Sequence, residues 1–325
     1  MDFQSRARDA VRFPTLLLAL LPLAACRDGS VPLAPPPVAA DVETASDQGL
    51  MGTIAFTSTG GGRFLQIFTM NPDGSDITQL TTDSGSHLHP SWSPNWHQIA
   101  FERIYDIFVI NADGTGLTQV THNGPVTSSA QPAWSPDGRR LAFASGDRGR
   151  LYGISVMNSD GTEVTPLTTP VFAYDAVQSS DYSPAWSPNG KQIAFVRVTR
   201  DGITSDICVM NADGSEVTQL THNASGVVVS RPWWSPNGKR LVFSANSELD
   251  GSYTNSARVF TINPDGSDVV EFTIGIIPAW SPNGRQIVFD GSNGIAVMGA
   301  DGSGIRQVAN FFAIDLTWTA PPLNL

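Results

Sequence analysis

A tryptophan-containing string recurs along most of this chain. Five full copies read Pro-x-Trp-Ser-Pro-Asn/Asp and are followed by a hydrophobic triplet, and residues 316–319 are a degenerate sixth copy. The tryptophans lie 38 to 52 residues apart, at Trp92, Trp134, Trp186, Trp234, Trp280 and Trp318. A repeat of about 40–50 residues is typical of one four-stranded β-propeller blade. The sequence therefore predicts a repeat protein made of propeller blades.

A second string, Asn-x-Asp-Gly, alternates with the first and gives the same number of units. It occupies residues 71–74, 111–114, 158–161, 211–214 and 263–266, and returns at 299–302 without the Asn. Short apolar segments separated by Gly, Pro, Asn and Asp are typical of antiparallel strands, and the region has no helical periodicity. We therefore expect an all-β fold with four strands in each unit.

The two ends of the repeat region indicate how the ring closes. The first unit begins directly at a hydrophobic triplet, Ile54–Phe56, and lacks a Trp strand of its own. The C-terminal copy at 316–319 would supply the missing strand. The result is a closed six-bladed propeller, a form that removes the free strand edges at which chains aggregate.

The N-terminal segment has the three parts of a secretory signal. Arginines at 6, 8 and 12 precede the apolar run 16–21, and small residues follow directly before Cys26. This run is too short to span a membrane. The string Leu-Ala-Ala-Cys at 23–26 resembles a bacterial lipobox, which implies lipidation of Cys26; the alternative is an ordinary signal cleavage nearby. The resulting division is a signal peptide at 1–25, a Pro/Ala-rich tether at 26–48, the propeller at 49–320 and a tail at 321–325.

The residue after Cys26 indicates the localisation of the protein, and its net charge limits the partners that it can bind. Arg27 occupies the position after the lipidated Cys, where Asp would retain a lipoprotein in the inner membrane; the resemblance therefore implies an outer-membrane protein facing the periplasm. The net charge of −11 disfavours nucleic acid and anionic lipid surfaces as partners. We expect a monomer that contacts the membrane through its lipid alone and needs no cofactor.

The Trp-Ser-Pro-Asn/Asp-Gly string before an Ile-Ala-Phe type triplet resembles the WD-like propeller repeats of the TolB family. The resemblance covers about residues 50–319. It implies that the Trp strand is innermost in each blade. TolB also has an α/β domain ahead of its propeller, whereas a short linker precedes the first blade here. The likeness is therefore to the propeller alone, and a role in a Tol–Pal system does not follow from it.

This geometry divides the loops between two faces. The two recurring strings form short, uniform turns on one face. The other face would carry dissimilar loops at 57–65, 102–106, 144–152, 196–206, 244–258 and 290–294, with blade connections at 82–89, 122–131, 169–183, 222–231, 274–277 and 310–313. Variable loops on a rigid scaffold are where binding residues concentrate. The candidate ligand-binding residues of this face are His87, His89, His122, His222, Tyr182 and Arg231. All of them except His87 are expected in exposed connections.

Most recurring residues have a structural and a functional interpretation. The Asn-x-Asp-Gly strings supply the positive φ of tight turns; alternatively Asn71, Asp73, Ser75 and Asp76 resemble the start of a calcium loop, although the bidentate Glu is missing. The six tryptophans would pack between blades or stack on sugars. The Thr-His-Asn strings at 121–123 and 221–223 are turn residues or part of a histidine cluster.

Two functions from different classes remain open. The first is a non-catalytic, membrane-tethered scaffold that binds a protein or a cell-envelope polymer. The second is a metal-dependent carbohydrate-active enzyme, a lyase or hydrolase, in which His87, His89, His122 and His222 converge on a metal. Propeller lyases acting on pectin fragments have similar repeats, which supports the second by resemblance. We expect no catalytic residues and no metal under the first, and the chain has no nucleophile elbow, zinc-protease or nucleotide-binding motif.

Overall fold

The computed structural model describes residues 52–124, 126–147, 151–169, 179–199, 204–247 and 253–319. These residues form 24 strands in six antiparallel sheets of four strands each. The predicted all-β, six-bladed propeller is confirmed. No helix in these ranges is long and apolar enough to cross a membrane.

Each blade is numbered from its innermost to its outermost strand. Blade 1 consists of β24 (Leu316–Thr319), β1 (Thr53–Ser58), β2 (Gln66–Met70) and β3 (Thr78–Gln79), and blade 2 of β4 (His87–Trp92), β5 (Gln98–Arg103), β6 (Asp106–Asn111) and β7 (Thr118–Gln119). Blade 3 consists of β8 (Thr127–Trp134), β9 (Arg140–Asp147), β10 (Tyr152–Asn158) and β11 (Thr165–Pro166), and blade 4 of β12 (Ser180–Trp186), β13 (Gln192–Val198), β14 (Ser205–Asn211) and β15 (Thr218–Gln219). Blade 5 consists of β16 (Trp233–Trp234), β17 (Leu241–Ser247), β18 (Tyr253–Ile262) and β19 (Val270–Ile274), and blade 6 of β20 (Ile276–Trp280), β21 (Gln286–Gly291), β22 (Gly294–Gly299) and β23 (Arg306–Gln307).

The ring closes through blade 1, in which the last strand of the chain pairs with the first. β24 lies antiparallel to β1, with Thr53 opposite Thr319 and Phe56 opposite Leu316. The six innermost strands also contact one another in sequence around the ring, from β24 through β4, β8, β12, β16 and β20. The closure expected from the two half-units of the sequence is therefore present, and no blade edge is left open at the junction.

Six separate hydrophobic cores hold the blades together, and each contains one of the repeat tryptophans. Trp234, for example, packs against Val209 of blade 4 and Phe243 of its own blade. Trp92, Trp134, Trp186, Trp280 and Trp318 occupy the other five cores. The indole of Trp234 also donates a hydrogen bond of 3.1 Å to the carbonyl oxygen of Ala185 in blade 4. A large aromatic side chain in every interface makes each blade depend on its neighbour for a buried core.

The Trp-Ser-Pro string forms the turn from the first to the second strand. In blade 3 the Ser135 hydroxyl donates to Asp137 at 2.6 Å and accepts from the Arg140 N–H at 2.9 Å. Gly138 then supplies a φ of +70°. In blade 2 the Gly is absent and Trp96 adopts a φ of +61° in its place. The repeated Ser, Asn/Asp and Gly are thus explained by turn formation.

The Asn-x-Asp-Gly string forms the turn from the third to the fourth strand. The Asp73 carboxylate accepts from both the N–H and the hydroxyl of Ser75, at 2.9 and 2.7 Å. These hydrogen bonds hold the pKa of Asp73 below its usual value. Gly74 has a φ of +89°, and a Cβ there would collide with the carbonyl oxygen of Val308 in blade 6. The Gly is therefore required both by its backbone conformation and by the neighbouring blade.

The strand order places both kinds of turn at the same end of the propeller. We call this end, formed by turns such as 93–97 and 112–117, the short-turn face. The opposite end carries the connections from second to third strands and between blades, such as 104–105 and 120–124, and we call it the long-loop face. Gly52 and Thr319 both lie at the short-turn face, where β1 begins and β24 ends. The signal segment, Cys26, the tether and the tail lie outside the described residues.

We expect Trp318→Ala to destabilise the protein by about 3–5 kcal/mol, the usual cost of emptying a large buried aromatic site. The indole is 5% exposed and lies in the core that joins blade 6 to blade 1. Ile305→Ala is the matched control because Ile305 is 52% exposed on the outer rim, where changes cost within about 0.5 kcal/mol. Urea unfolding measures both; equal losses of unfolding free energy would contradict the role given to the interface tryptophan.

Candidate functional site

One residue of each blade occupies an equivalent position in the innermost strand or just before it. This residue stands three positions before the tryptophan, and in five blades directly before a proline. The six residues are His89, Gln131, Ser183, Arg231, Ile277 and Asp315. Unlike the surrounding string, they differ in every blade. We refer to them as the channel ring.

In four blades, a bulge in the innermost strand turns the channel-ring side chain out of the normal alternation. The pairing register shifts between Leu88 and Ser91 in blade 2, and at the equivalent positions of blades 3, 4 and 6. The channel-ring residue at the bulge has a left-handed backbone, with φ of +56° at His89 and +55° at Gln131. The following proline has no N–H to lose from the ladder, which is why a bulge tolerates it.

His89 lies between two carboxylates from different blades. Its Nδ1 is 3.0 Å from Oε2 of Glu102 on the neighbouring strand β5. Its Nε2 is 3.7 Å from Oδ1 of Asp315 in blade 1. The His89 backbone N–H also donates to Oδ2 of Asp315 at 3.0 Å. The imidazole is therefore held by both neighbours, with 21% of its side chain still exposed.

These contacts determine the charge of His89. Burial disfavours the imidazolium, but the negative charges of Asp315 and Glu102 outweigh burial and raise the pKa of His89 above its usual value. The charge of Arg231 opposes this increase. His89 is thus protonated over a wider pH range than a free histidine.

Arg231 reaches into the same cluster from the opposite side of the ring. It belongs to blade 5, yet its charge interacts with Asp315 of blade 1 and His89 of blade 2. Burial lowers the pKa of the guanidinium, and Asp315 partly offsets that effect. Within the described part of the chain, the buried Nη1 atom of Arg231 has no hydrogen-bond partner. Three channel-ring side chains therefore converge on the axis of the propeller.

Trp233 follows Arg231 by two residues, towards the short-turn face. The other blades have Ser, Ala or Thr at this position, two residues after the channel ring. The Trp233 ring packs against the core between blades 5 and 6 and also against the core between blades 6 and 1. It therefore lies across β20 of the intervening blade. The Arg231 guanidinium is 6.0 Å from the Trp233 ring centroid, so the cation has an aromatic neighbour.

His87, two residues before His89, faces the interior instead of the channel. It is fully buried, and its ring is 5.2 Å from that of Phe101. Nε2 is 3.2 Å from Oδ1 of Asp83, but the two are not aligned for a hydrogen bond. Burial lowers the pKa of His87, while Asp83 opposes that shift. His87, a candidate for the ligand-binding face, is instead buried beside Phe101.

His122 and His222 are exposed on the long-loop face, and their neighbours explain the repeated Thr-His-Asn string. The Asp106 carboxylate accepts from the Thr121 hydroxyl at 2.8 Å and from the Asn123 N–H at 2.9 Å. Asp206 makes the same two contacts with Thr221 and Asn223. The Thr and Asn form the turn, and the histidine between them points away from these hydrogen bonds. His122 lines an open cleft of about 530 Å³ between blades 2 and 3.

Tyr182 lies on the innermost strand of blade 4 and is partly buried. Its ring centroid is 5.2 Å from that of Tyr152 in blade 3. Burial raises the pKa of Tyr182. The adjacent Asp181 makes a bidentate ion pair with Arg197, at 2.8 and 2.9 Å. Tyr182, like His89 and Arg231, therefore belongs to the wall of the ring and not to an exposed connection as expected.

The four histidines considered for a metal site are distributed over different environments. His87 is buried, His89 is held by carboxylates, and His122 and His222 are exposed. Among the residues that the structure describes, no group of three or more His, Cys, Asp or Glu side chains is arranged to hold a metal ion. At the suggested calcium loop, Asn71 presents its amide N–H₂ to Ser75 and Asp76, at 2.9 and 2.6 Å. These contacts serve the turn.

Glu102, Asp315, Gln131, Ser183 and Ile277 are channel residues that the sequence analysis did not select. A signal for most of them exists in the sequence. Superposing the repeat strings shows that the position before the proline is the one that changes from blade to blade. Glu102 has a weaker signal, since it follows the hydrophobic triplet of its blade. The equivalent Asp290 of blade 6 is buried, and burial raises its pKa to about 7, opposed by the Ala313 N–H.

Comparisons with known proteins support the fold. Residues 63–159 match the family model of the dipeptidyl peptidase IV N-terminal region. No curated protein sequence matches the chain significantly. The structure is similar to TolB from Acinetobacter baumannii, with a TM-score of 0.65 and 21% identity over 84% of this chain and 68% of that one. The TolB-like propeller expected from the repeats is therefore present.

Propellers from other settings are similar as well. A chain of the nidogen/laminin complex gives a TM-score of 0.63 at 14% identity, covering 83% of this chain and 99% of that one. An oligogalacturonate lyase in complex with manganese gives 0.55 at 14% identity, covering 80% and 74%. At these identities the likeness concerns the fold alone, and function has to be argued from the site.

We expect the two histidines of β4 to titrate in opposite directions from the usual value of about 6.5. His89 should titrate above it and His87 below it. The free energy contributed by His89 is then present at low pH and is lost as pH rises through its pKa, whereas that of His87 is lost as pH falls. Ring proton shifts in NMR, assigned with His87→Gln and His89→Gln variants, measure both values. If His87 and His89 both titrate at the usual value of about 6.5, the contacts described for them are contradicted.

Proposed function

We propose that this TolB-like propeller is an exported, lipid-tethered scaffold that binds a protein or cell-envelope polymer through its long-loop face. The observation that carries the proposal is the channel ring. Side chains that differ from blade to blade, including His89, Arg231 and Asp315, converge at the centre, while the cores and short turns of the repeat are uniform. A rigid frame that presents variable residues at its centre and in the loops of one face is suited to recognition.

The described chain enters and leaves the propeller on the face opposite the proposed binding surface. The first strand begins at Thr53 and the last ends at Thr319, both on the short-turn face. Neither of these strand ends occupies the long-loop face.

The similar propellers support binding without chemistry at the site. TolB and a chain of the nidogen/laminin complex share the fold, and the second was solved in a complex of two proteins. In this chain several polar groups at the channel hold one another in place: His89 contacts Glu102 and Asp315, and the Gln131 side chain accepts from the Ser183 N–H at 2.8 Å. These arrangements pre-form a surface, which reduces the cost of ordering it on binding.

We expect the double variant Ile104→Asp/Val228→Asp to lose capture of the partner from envelope extract. Both residues are exposed on the long-loop face, at 59% and 46%. The control is Ile77→Asp/Val217→Asp, which makes the same change at residues 50% and 42% exposed beyond the short turns. Quantitative pull-down of cross-linked complexes should show about a tenfold loss for the first pair, equivalent to about 1.4 kcal/mol. If only the Ile77→Asp/Val217→Asp variant loses capture of the partner, the interface lies on the short-turn side and the proposal is contradicted.

We expect lipidation to depend on Cys26. Wild-type protein expressed in a Gram-negative host should incorporate radioactive palmitate and sediment with membranes. The Cys26→Ser variant should do neither, because the sulfur of Cys26 is the atom that would carry the lipid. The control variant Cys208→Ser should behave as the wild type. Cys208 is buried, and burial raises the pKa of its thiol to about 12, so it does not react in the folded protein. Palmitate incorporation that persists without Cys26 would refute the anchor.

The alternative function is a metal-dependent carbohydrate-active enzyme, and one observation favours it. The fold is shared with an oligogalacturonate lyase solved with manganese. In this chain the candidate histidines do not come together, and the described residues hold no cluster arranged for a metal. Metal analysis of the purified protein distinguishes the two functions. Stoichiometric manganese, zinc or calcium that disappears in His89→Ala and His122→Ala variants would favour the enzyme.

A further inference from the structure

We propose that the channel binds a carboxylate group of the ligand, held by the guanidinium of Arg231 beside His89. The inference rests on the proposed binding function and specifies which chemical group the long-loop face recognises. It concerns the axis of the propeller, whereas the loops around it supply the rest of the contact area.

Arg231 has a buried hydrogen-bond donor that no described residue satisfies. A guanidinium has five N–H donors in a planar fork that matches the two oxygens of a carboxylate. The Nη1 atom of Arg231 is buried and, in the described part of the chain, makes no hydrogen bond. A buried donor without a partner is costly, and its cost is removed when an acceptor arrives. Arg231 is therefore prepared for an acceptor that the propeller does not itself provide.

Charged side chains from other blades interact with Arg231. Asp315 and His89 do so directly, and Glu102 contacts His89, whereas the remaining channel-ring residues, Gln131, Ser183 and Ile277, carry no charge. Both acidic side chains contact His89. With His89 protonated, the two acids and the two bases cancel. A carboxylate that binds to Arg231 then meets a cluster with no net charge, in which both acidic side chains already contact His89.

Trp233 gives the guanidinium an apolar neighbour on its short-turn side. The Trp233 ring packs against the cores on both sides of blade 6, and its centroid is 6.0 Å from the guanidinium carbon. We therefore expect a carboxylate to reach Arg231 from the long-loop side, the face on which the partner is proposed to bind.

A carboxylate could come from a free organic acid or from the end of a chain, and calorimetry with three probes separates them. Propionate is a free acid, triglycine carries a terminal carboxylate, and triglycinamide lacks it. At pH 6 we expect triglycine or propionate to bind and triglycinamide not to bind. Tighter binding of triglycine identifies a chain terminus as the ligand, and equal binding identifies the carboxylate alone. Equal binding of triglycine and its amide would overturn the proposal.

Variants of the purified full chain test the residue assignment. Arg231→Gln should weaken carboxylate binding about ten- to hundredfold, the range for losing a hydrogen bond to a charged group. Lys239→Gln removes a positive charge from the short-turn face and should change nothing. Arg231→Lys keeps the charge in case the Gln variant does not fold, and should retain partial affinity. Wild-type affinity in a folded Arg231→Gln protein would refute the assignment.

The pH dependence gives an independent readout on the unmodified protein. When His89 loses its proton, Glu102 and Asp315 are no longer balanced, and the cluster becomes negative. Carboxylate affinity should therefore fall as pH rises through the pKa of His89, with its ring signals moving on ligand addition. An affinity that is constant from pH 6 to 9 would count against the proposal. If no carboxylate binds while Ile104→Asp/Val228→Asp still loses the partner, this inference fails and the proposed function stands.

Discussion

The pairing of β24 with β1 is the contact on which the rest of the structure depends. It joins the last described strand of the chain to the first and turns a row of blades into a ring. Without it, blade 1 would lack its innermost strand and the core around Trp318 would lose one side. Closure also fixes the positions of the six innermost strands, and through them the distances between residues as remote in sequence as His89 and Asp315.

The ring converts differences between repeats into a local site. Around it, each blade reuses the same tryptophan core and the same two turns, and these features leave little freedom for chemistry. In blades 2, 3, 4 and 6 a bulge before the proline takes one residue out of the alternation of the innermost strand. The residue at this position differs in every blade, whereas the tryptophan three positions later is present in all six. Charge can then be assembled from several blades, as in the cluster of Arg231, His89 and Asp315.

The sequence predicts the fold well because the same pattern is repeated six times. Each full copy of the Trp-Ser-Pro string contains its own turn residues and its own core tryptophan. A degenerate copy, such as the one at 316–319, can therefore be recognised by comparison with the others. The site is harder to predict because the bulge leaves no trace in the hydrophobic pattern. Simple alternation places His87 and His89 on the same side of β4. The register shift separates them, so that one is buried and the other lines the channel.

The central claim is that the partner binds the long-loop face. Site-specific photo-cross-linking tests this claim most directly. A photoreactive amino acid at Val228, exposed on the long-loop face, is compared with one at Lys239, exposed on the short-turn face. In living cells the probe at 228 should give a discrete cross-linked species, and the probe at 239 should give none. A species formed only from 239 would contradict the claim, because it would place the partner on the face where the chain enters the propeller.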